Sequence, residues 1–109
     1  MLYLKIFRKP YILCLSIAIL LLGCSTITPH ENFKSHIHGE IDMSIDNAPD
    51  YSWRHEKNSI NSKLLPNGNI EKEYTYIRSC RYFFEIDPKT RKIVGARFEG
   101  KESDCVVAP

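Results

Sequence analysis

The sequence predicts a small α+β or mainly β domain, built as a three-stranded antiparallel meander with one disulfide. A flexible tether and an amino-terminal signal peptide precede it. Between residues 70 and 99, three runs alternate apolar and polar side chains, and turn-forming residues separate them. The first 23 residues place positive charge before an apolar run, which is the order of a secretory signal.

The signal peptide is predicted from charge and length together. Lys5, Arg8 and Lys9 form a positive start, and no acidic residue occurs before position 31. Residues 11–22 are apolar except for Ser16, and twelve residues are too few to cross a bilayer, which takes about 20. That length fits the apolar part of a cleaved signal.

The stretch Leu21-Leu22-Gly23-Cys24 resembles the lipobox of bacterial lipoproteins. The resemblance implies that residues 1–23 are removed and that Cys24 becomes a lipidated amino terminus anchored in the membrane. It also implies an outer-membrane location with the domain facing the periplasm, because Ser25 is not the Asp that retains such proteins in the inner membrane. An uncleaved signal anchor and cleavage by another peptidase remain the alternatives.

Processing changes the charge balance of the chain. The full sequence has 15 basic and 13 acidic residues, a formal charge of +2. Removing residues 1–23 takes away three basic residues and no acidic one, which leaves 86 residues with a formal charge of −1. The basic character thus belongs to the signal, and the mature chain gives no indication of nucleic-acid binding. A chain of this length suffices for one small domain.

The cysteine count indicates a disulfide in the exported protein. Cys14 lies in the signal and Cys24 carries lipid in the lipoprotein interpretation, which leaves Cys80 and Cys105. Two remaining cysteines in an oxidising compartment favour one bridge over two free thiols. On the chain-entropy description such a loop stabilises a fold by roughly 3–4 kcal/mol.

Residues 24–40 are interpreted as the lipidated tether, and residues 41–109 as the periplasmic domain. Little periodicity is visible over residues 25–40, and Pro29 disfavours helix at the residue before it. Removing residues 26–36 is therefore expected to leave stability nearly unchanged. The tether contains three histidines, which we interpret as solvated side chains and not as a metal site because carboxylate and thiolate ligands are missing from the pattern: His30, His36 and His38.

The next segments alternate between weak structure signals and turns. Residues 37–48 fit a strand or one face of a helix, and periodicity leaves both open. Residues 51–56 alternate and predict a strand, whereas residues 58–62, Asn-Ser-Ile-Asn-Ser, predict a loop. Residues 66–69, Pro-Asn-Gly-Asn, predict a tight turn because Asn and Gly accept positive φ.

The three strands of the meander are predicted over residues 70–78, 80–86 and 93–99. Their inward faces are expected to carry Ile70, Tyr74 and Tyr76, then Cys80, Tyr82, Phe84 and Ile86, then Val94, Ala96 and Phe98. Asp87 and Pro88 predict the last turn, and Gly95 indicates a bulge or a close neighbour. Phe84 is expected to be a central core residue.

The carboxy-terminal part is similar to small lipoproteins of Gram-negative bacteria, and more distantly to the SmpA/OmlA type, which assists outer-membrane assembly. The layout runs through Pro49-Asp50, Leu65-Pro66-Asn67-Gly68, Glu73-Tyr74, Cys80, Phe84, Asp87, Ile93, Gly100 and Cys105. The resemblance implies two short helices against a three-stranded antiparallel sheet. This chain departs from the family pattern in residues 31–48, which show little helical signal, and at Arg91, where Gly is usual.

These patterns predict a structural or protein-interaction module at the cell envelope, held by lipid at Cys24 and using no cofactor. Its partner is expected to be an envelope protein, and the candidate surface consists of exposed aromatic residues: Tyr51, Trp53, Tyr74 and Tyr76. The alternative for these rings is that they fill the core. An inhibitor or immunity-type lipoprotein is a second possibility. We do not expect an enzyme: a hydrolase would rest on Glu85 and Asp87 alone, with no nucleophile or metal motif beside them.

Overall fold

Over residues 26–109, the part of the chain that the computed structural model describes, a helix packs on one face of a four-stranded antiparallel sheet. The elements are α1 (Pro29–His38), a 3-10 helix (Glu56–Asn58), β1 (Ser59–Leu64), β2 (Ile70–Thr75), β3 (Arg81–Ile86) and β4 (Ile93–Glu99). Neighbouring strands in sequence are neighbours in the sheet, in the order β1-β2-β3-β4. The predicted signal peptide and Cys24 lie outside the described residues.

Helix α1 corrects the predicted tether. Thr28 caps the helix, because its hydroxyl accepts the backbone N–H of Glu31, and Pro29 occupies the first helical position, where its fixed φ is favourable. Phe33 and Ile37 lie one turn apart and are fully buried against the sheet. The prediction of a tether is therefore wrong for residues 29–38, and the folded domain begins near Pro29. Deleting residues 26–36 would remove Phe33, so the opposite effect on stability is now expected.

The predicted meander is present as β2, β3 and β4, and a fourth strand precedes it. The sequence predicts a loop over residues 58–62, yet residues 59–62 belong to β1, which pairs with β2 through the tight turn in which Gly68 has a φ of 89°. An edge strand needs fewer apolar residues, since it contributes little to the core. The prediction of three strands is corrected to four.

The segment before β1 is not a strand. Residues 51–54 form turns, so this segment adds no strand to the sheet. The carbonyls of Trp53 and Arg54 instead accept the hydroxyls of Tyr82 and Tyr74. The region left open as helix or strand forms the end of α1, turns and an isolated bridge between Ser44 and Lys92.

Strand β4 contains the irregularity that Gly95 indicated. Glu85 pairs with Gly95, but the next residue of β3, Ile86, pairs with Ile93, which leaves Val94 unpaired in a bulge. Ile93 is consequently fully buried and Val94 is exposed, contrary to the predicted inward position of Val94. The other predicted inward residues of β4, Ala96 and Phe98, do pack against the core.

Cys80 and Cys105 form the predicted disulfide, with their Cα atoms 5.2 Å apart. The bridge joins the start of β3 to the carboxy-terminal segment, and both cysteines are fully buried. Val107 then donates its N–H to the carbonyl of Pro29 at 2.9 Å, and Asn32 donates to the carbonyls of Val107 and Ala108. The carboxy-terminal segment is thus attached to both the sheet and the helix.

We predict that Ile37→Ala lowers the free energy of unfolding by about 2–5 kcal/mol, because it leaves a cavity between α1 and the sheet. The matched variant Ile27→Ala removes the same atoms from a side chain that is 61% exposed, so its effect should stay within about 0.5 kcal/mol. Denaturant melts of the soluble, non-lipidated domain measure both. Equal effects of the two variants would contradict the docking of α1.

Candidate partner surface

The four aromatic residues predicted to form a partner surface are separated by the structure. Tyr51 is 89% exposed, whereas Tyr74 is 1% exposed and belongs to the core. Trp53 and Tyr76 are partly buried and pack against the same core. The assignment of Tyr74 to a partner surface is therefore wrong, and Tyr51 alone presents its ring to solvent.

Trp53 is held by contacts within the chain. Its ring stacks on His36, with centroids 5.4 Å apart, and on Tyr76 at 5.1 Å. It also meets Phe33 edge to face at 5.7 Å. These contacts fix the segment before β1 onto α1 and the sheet, which is a structural role for the indole.

Tyr74 and Tyr82 support the same segment from below. Their rings stack at 4.9 Å, and their hydroxyls donate to backbone carbonyls of Arg54 and Trp53 at 3.1 and 2.8 Å. Burial raises the pKa of both phenols well above the ordinary value, so both remain neutral donors throughout the physiological range. The interpretation that the aromatic residues fill the core is correct for this pair.

A cleft of about 370 Å³ opens beside Tyr51. Its lining is part aromatic and part polar: Tyr51, Ser52, Trp53, Asn58, Thr75, Tyr76 and Tyr82. Within the described residues, the Ser52 hydroxyl is buried and has no hydrogen-bond partner. The cleft therefore offers aromatic side chains together with polar ones such as Asn58 and Thr75, a mixture that suits a side chain of a protein partner.

The outer face of the sheet, opposite α1, carries a network of ion pairs. Arg97 donates to both carboxylate oxygens of Glu71, at 2.7 and 2.9 Å, and to Glu99. Its guanidinium lies 3.8 Å from the ring centroid of Phe83, which is buried beneath it. Arg81 pairs with Glu73 and Glu99 in the same way. Because the acidic and basic groups of β2, β3 and β4 pair with one another, this face has little net charge with which to attract a charged ligand.

The carboxylates considered for a hydrolase are held by turns. Glu85 accepts the side-chain amides of Asn67 and Asn69, at 3.1 and 2.7 Å, and so braces the β1–β2 turn. Asp87 accepts the backbone N–H of Lys89 at 2.8 Å, as predicted for the β3–β4 turn. Arg91, where Gly was usual in the related layout, does adopt a left-handed φ of 62°, and its guanidinium binds Asp46 and Glu56.

The three histidines have separate contacts. His30 Nδ1 lies 2.8 Å from the carbonyl oxygen of Cys105, and His38 Nδ1 lies 2.8 Å from that of Lys34. His36 stacks on Trp53. In the part of the chain that is described, three or more His, Cys, Asp or Glu side chains do not come together as a group able to hold a metal ion.

The outer edge of β1 is a second exposed feature. Ile60 and Leu64 are both exposed, Leu64 by 73%, and within residues 26–109 β1 pairs only with β2. The backbone N–H of Ser62 is accepted by the Asn61 side chain, and a bulge separates Ser59 from Asn61. A bulge and the charge of Lys63 are features that restrain uncontrolled strand pairing. The edge therefore presents apolar side chains with restricted access to its backbone.

No protein-family model, curated protein or solved structure matches this chain. Among residues 26–109, every helix is too short or too polar to span a bilayer.

We predict that the Arg97–Glu71 pair makes stability depend on acid. The hydrogen bonds from Arg97 hold the pKa of Glu71 below its ordinary value of 4.5. The unfolded state then binds more protons than the folded state near pH 4.5. The contribution of the pair to the free energy of unfolding is therefore complete above pH 4.5, and it is lost as the pH falls through the pKa of Glu71 in the folded state. In thermal melts below pH 4.5, the midpoint temperature should fall less steeply with decreasing pH in Glu71→Gln and in Arg97→Gln than in the unmodified protein. An unchanged slope in both variants would contradict the assignment.

Proposed function

We propose that this protein is a lipid-anchored module of the bacterial cell envelope, which binds another envelope protein on the periplasmic side of the outer membrane. The observation that carries the proposal is the stretch Leu21-Leu22-Gly23-Cys24 at the end of a positively charged, apolar leader. Ser25 supports the outer-membrane location. Lipid on Cys24, in more than one chain, holds a protein stably at a bilayer.

Three features of the fold support this proposal. The disulfide suits an oxidising compartment, where a small domain gains stability from a covalent link. The two carboxylates considered for a hydrolase each brace a turn. The cleft beside Tyr51 and the edge at Leu64 are exposed surfaces of the kinds that partner proteins bind.

The anchor is tested by Cys24→Ala. Without the thiol no lipid can be attached, so the precursor should remain uncut in the inner membrane and carry no acyl chains. Mass spectrometry and membrane fractionation measure both properties, and Ser25→Ala is the control that should be processed normally. Recovery of a cut, soluble Cys24→Ala protein would show ordinary secretion and overturn the anchor.

The interaction is tested by cross-linking in intact cells. A photo-reactive amino acid at Tyr51 or at Leu64 should trap a specific envelope protein, whereas the same group at Thr90, in the exposed β3–β4 turn, should trap much less. Mass spectrometry identifies the product. A resident assembly subunit or peptidoglycan enzyme would fit the proposed module, and a foreign effector would identify an inhibitor. Equal or absent products at all three positions would contradict a partner surface at either site.

A further inference from the structure

The start of α1 leaves very little chain between the proposed anchor and the folded domain. Five peptide units separate Cys24 from Pro29, where the helix begins. Whatever conformation they adopt, they span at most about 18 Å. The headgroup layer on one side of a bilayer is itself about 5–8 Å thick. A domain anchored at Cys24 is therefore confined to the membrane surface.

The attachment point is also fixed to one end of the domain. Pro29 accepts the N–H of Val107, and His30 contacts the carbonyl oxygen of Cys105, so the helix start is joined to the disulfide-linked segment. The same end contains the β2–β3 turn, whose Ser79 donates to Asp104. Because these elements are hydrogen-bonded together, the chain from Pro29 onward moves with the domain.

We propose that this end of the domain rests on the bilayer that holds the lipid on Cys24. The contacting groups are the start of α1, the β2–β3 turn and the loop after β4. This orientation rests on the proposed lipid anchor. This surface contacts the lipid headgroups themselves. The segment between Cys24 and Pro29 is short enough to keep the headgroups within reach of the surface, whether or not a protein partner is bound.

The chemistry of this end suits a headgroup layer. Ile27 is 61% and Ile77 41% exposed. Arg78 follows Ile77, and Lys101 donates its backbone N–H to Ser79 of the same turn, so both cations lie at this end, where they can bind lipid phosphates. Tyr51 borders Thr75 at the end of β2, and tyrosine favours the membrane–water interface. In this orientation Leu64, and not Tyr51, is the position at which a protein partner is expected. Arg78 pairs with Asp104, and Glu102 is exposed nearby, so the attraction is local and not a strong basic patch.

Apolar exposure alone does not choose the orientation. Met43, Leu64 and Val94 are also exposed. The strand register and the hydrogen bond from Ile93 to Met43 place all three toward the opposite end of the sheet. The length of the tether decides between the ends, because only the end that contains Pro29 can be reached from Cys24. Strand β4 is about 23 Å long, so the β1–β2 turn and Leu64 are held away from the bilayer, toward the periplasm.

The orientation is tested with two matched variants of the full-length, lipidated protein, Lys101→Cys and Lys89→Cys. Both replace an exposed lysine in a turn, at the proposed membrane end and at the opposite end respectively. Each introduced thiol is labelled with a fluorophore, and the protein is placed in phosphatidylethanolamine–phosphatidylglycerol vesicles that carry a nitroxide headgroup quencher. Quenching should be several-fold greater at position 101 than at position 89.

A variant with a lengthened tether isolates the effect of tether length. Twenty Gly/Ser residues inserted between Ser25 and Thr26 add a root-mean-square reach of about 25 Å, so the difference between the two labels should shrink toward zero. Mass spectrometry of the same samples reports the acyl chains on Cys24 and the intact Cys80–Cys105 bridge. Acylated protein with equal quenching at both positions overturns the orientation alone. Protein without acyl chains overturns the anchor and the orientation together.

Discussion

The packing of Phe33 at the centre of an aromatic cluster holds the three parts of this domain together. Its ring lies 5.7 Å from that of Trp53, 5.4 Å from Tyr76 and 5.9 Å from Phe98. Those partners come from the segment before β1, from the residue after β2 and from β4. One side chain of α1 therefore links the helix, the segment before β1 and the sheet. A small domain buries a limited fraction of its surface, so such a shared contact carries a large part of its stability.

The covalent bridge stabilises the segment that follows β4. Beyond β4 the chain turns at Gly100, whose φ is 115°; a Cβ there would lie 2.3 Å from the carbonyl oxygen of Ser79. The Ser79 hydroxyl lowers the pKa of Asp104 and so keeps that carboxylate charged beside the β2–β3 turn. The disulfide then fixes the returning segment so that Val107 can reach Pro29. The bridge thus adds a covalent link to the packing of Val107 and to the hydrogen bonds that join this segment to α1.

The strands with strong alternation were predictable from sequence, and the features set by tertiary contacts were not. In β3, alternation identified buried residues such as Phe84, and the two remaining cysteines identified the bridge. Helix α1 was missed because only Phe33 and Ile37 mark its buried face, although the residues at its start form a helix-start signal. Strand β1 was missed because an edge strand needs no buried stripe. The candidate site was harder still. Alternation placed Tyr74 inward, yet its residue type suggested a binding surface. Residues 51–56 alternate like a strand, but residues 51–54 form turns, so the alternation did not show whether the ring of Tyr51 is covered.

Most of the aromatic residues of this small domain pack in its own core. Buried aromatic residues are not accessible to a partner, which limits where a partner can bind. The outer sheet face is occupied by paired charges over Phe83, and α1 covers the inner face. Among the described residues, two exposed surfaces lie outside these faces, the cleft at Tyr51 and the edge at Leu64, and they lie toward opposite ends of β1. If the short tether places the Tyr51 end on the bilayer, the edge at Leu64 is the surface that a periplasmic protein meets first. Membrane contact and partner contact are then separated along the strands of one sheet, so a domain this small can make both at once.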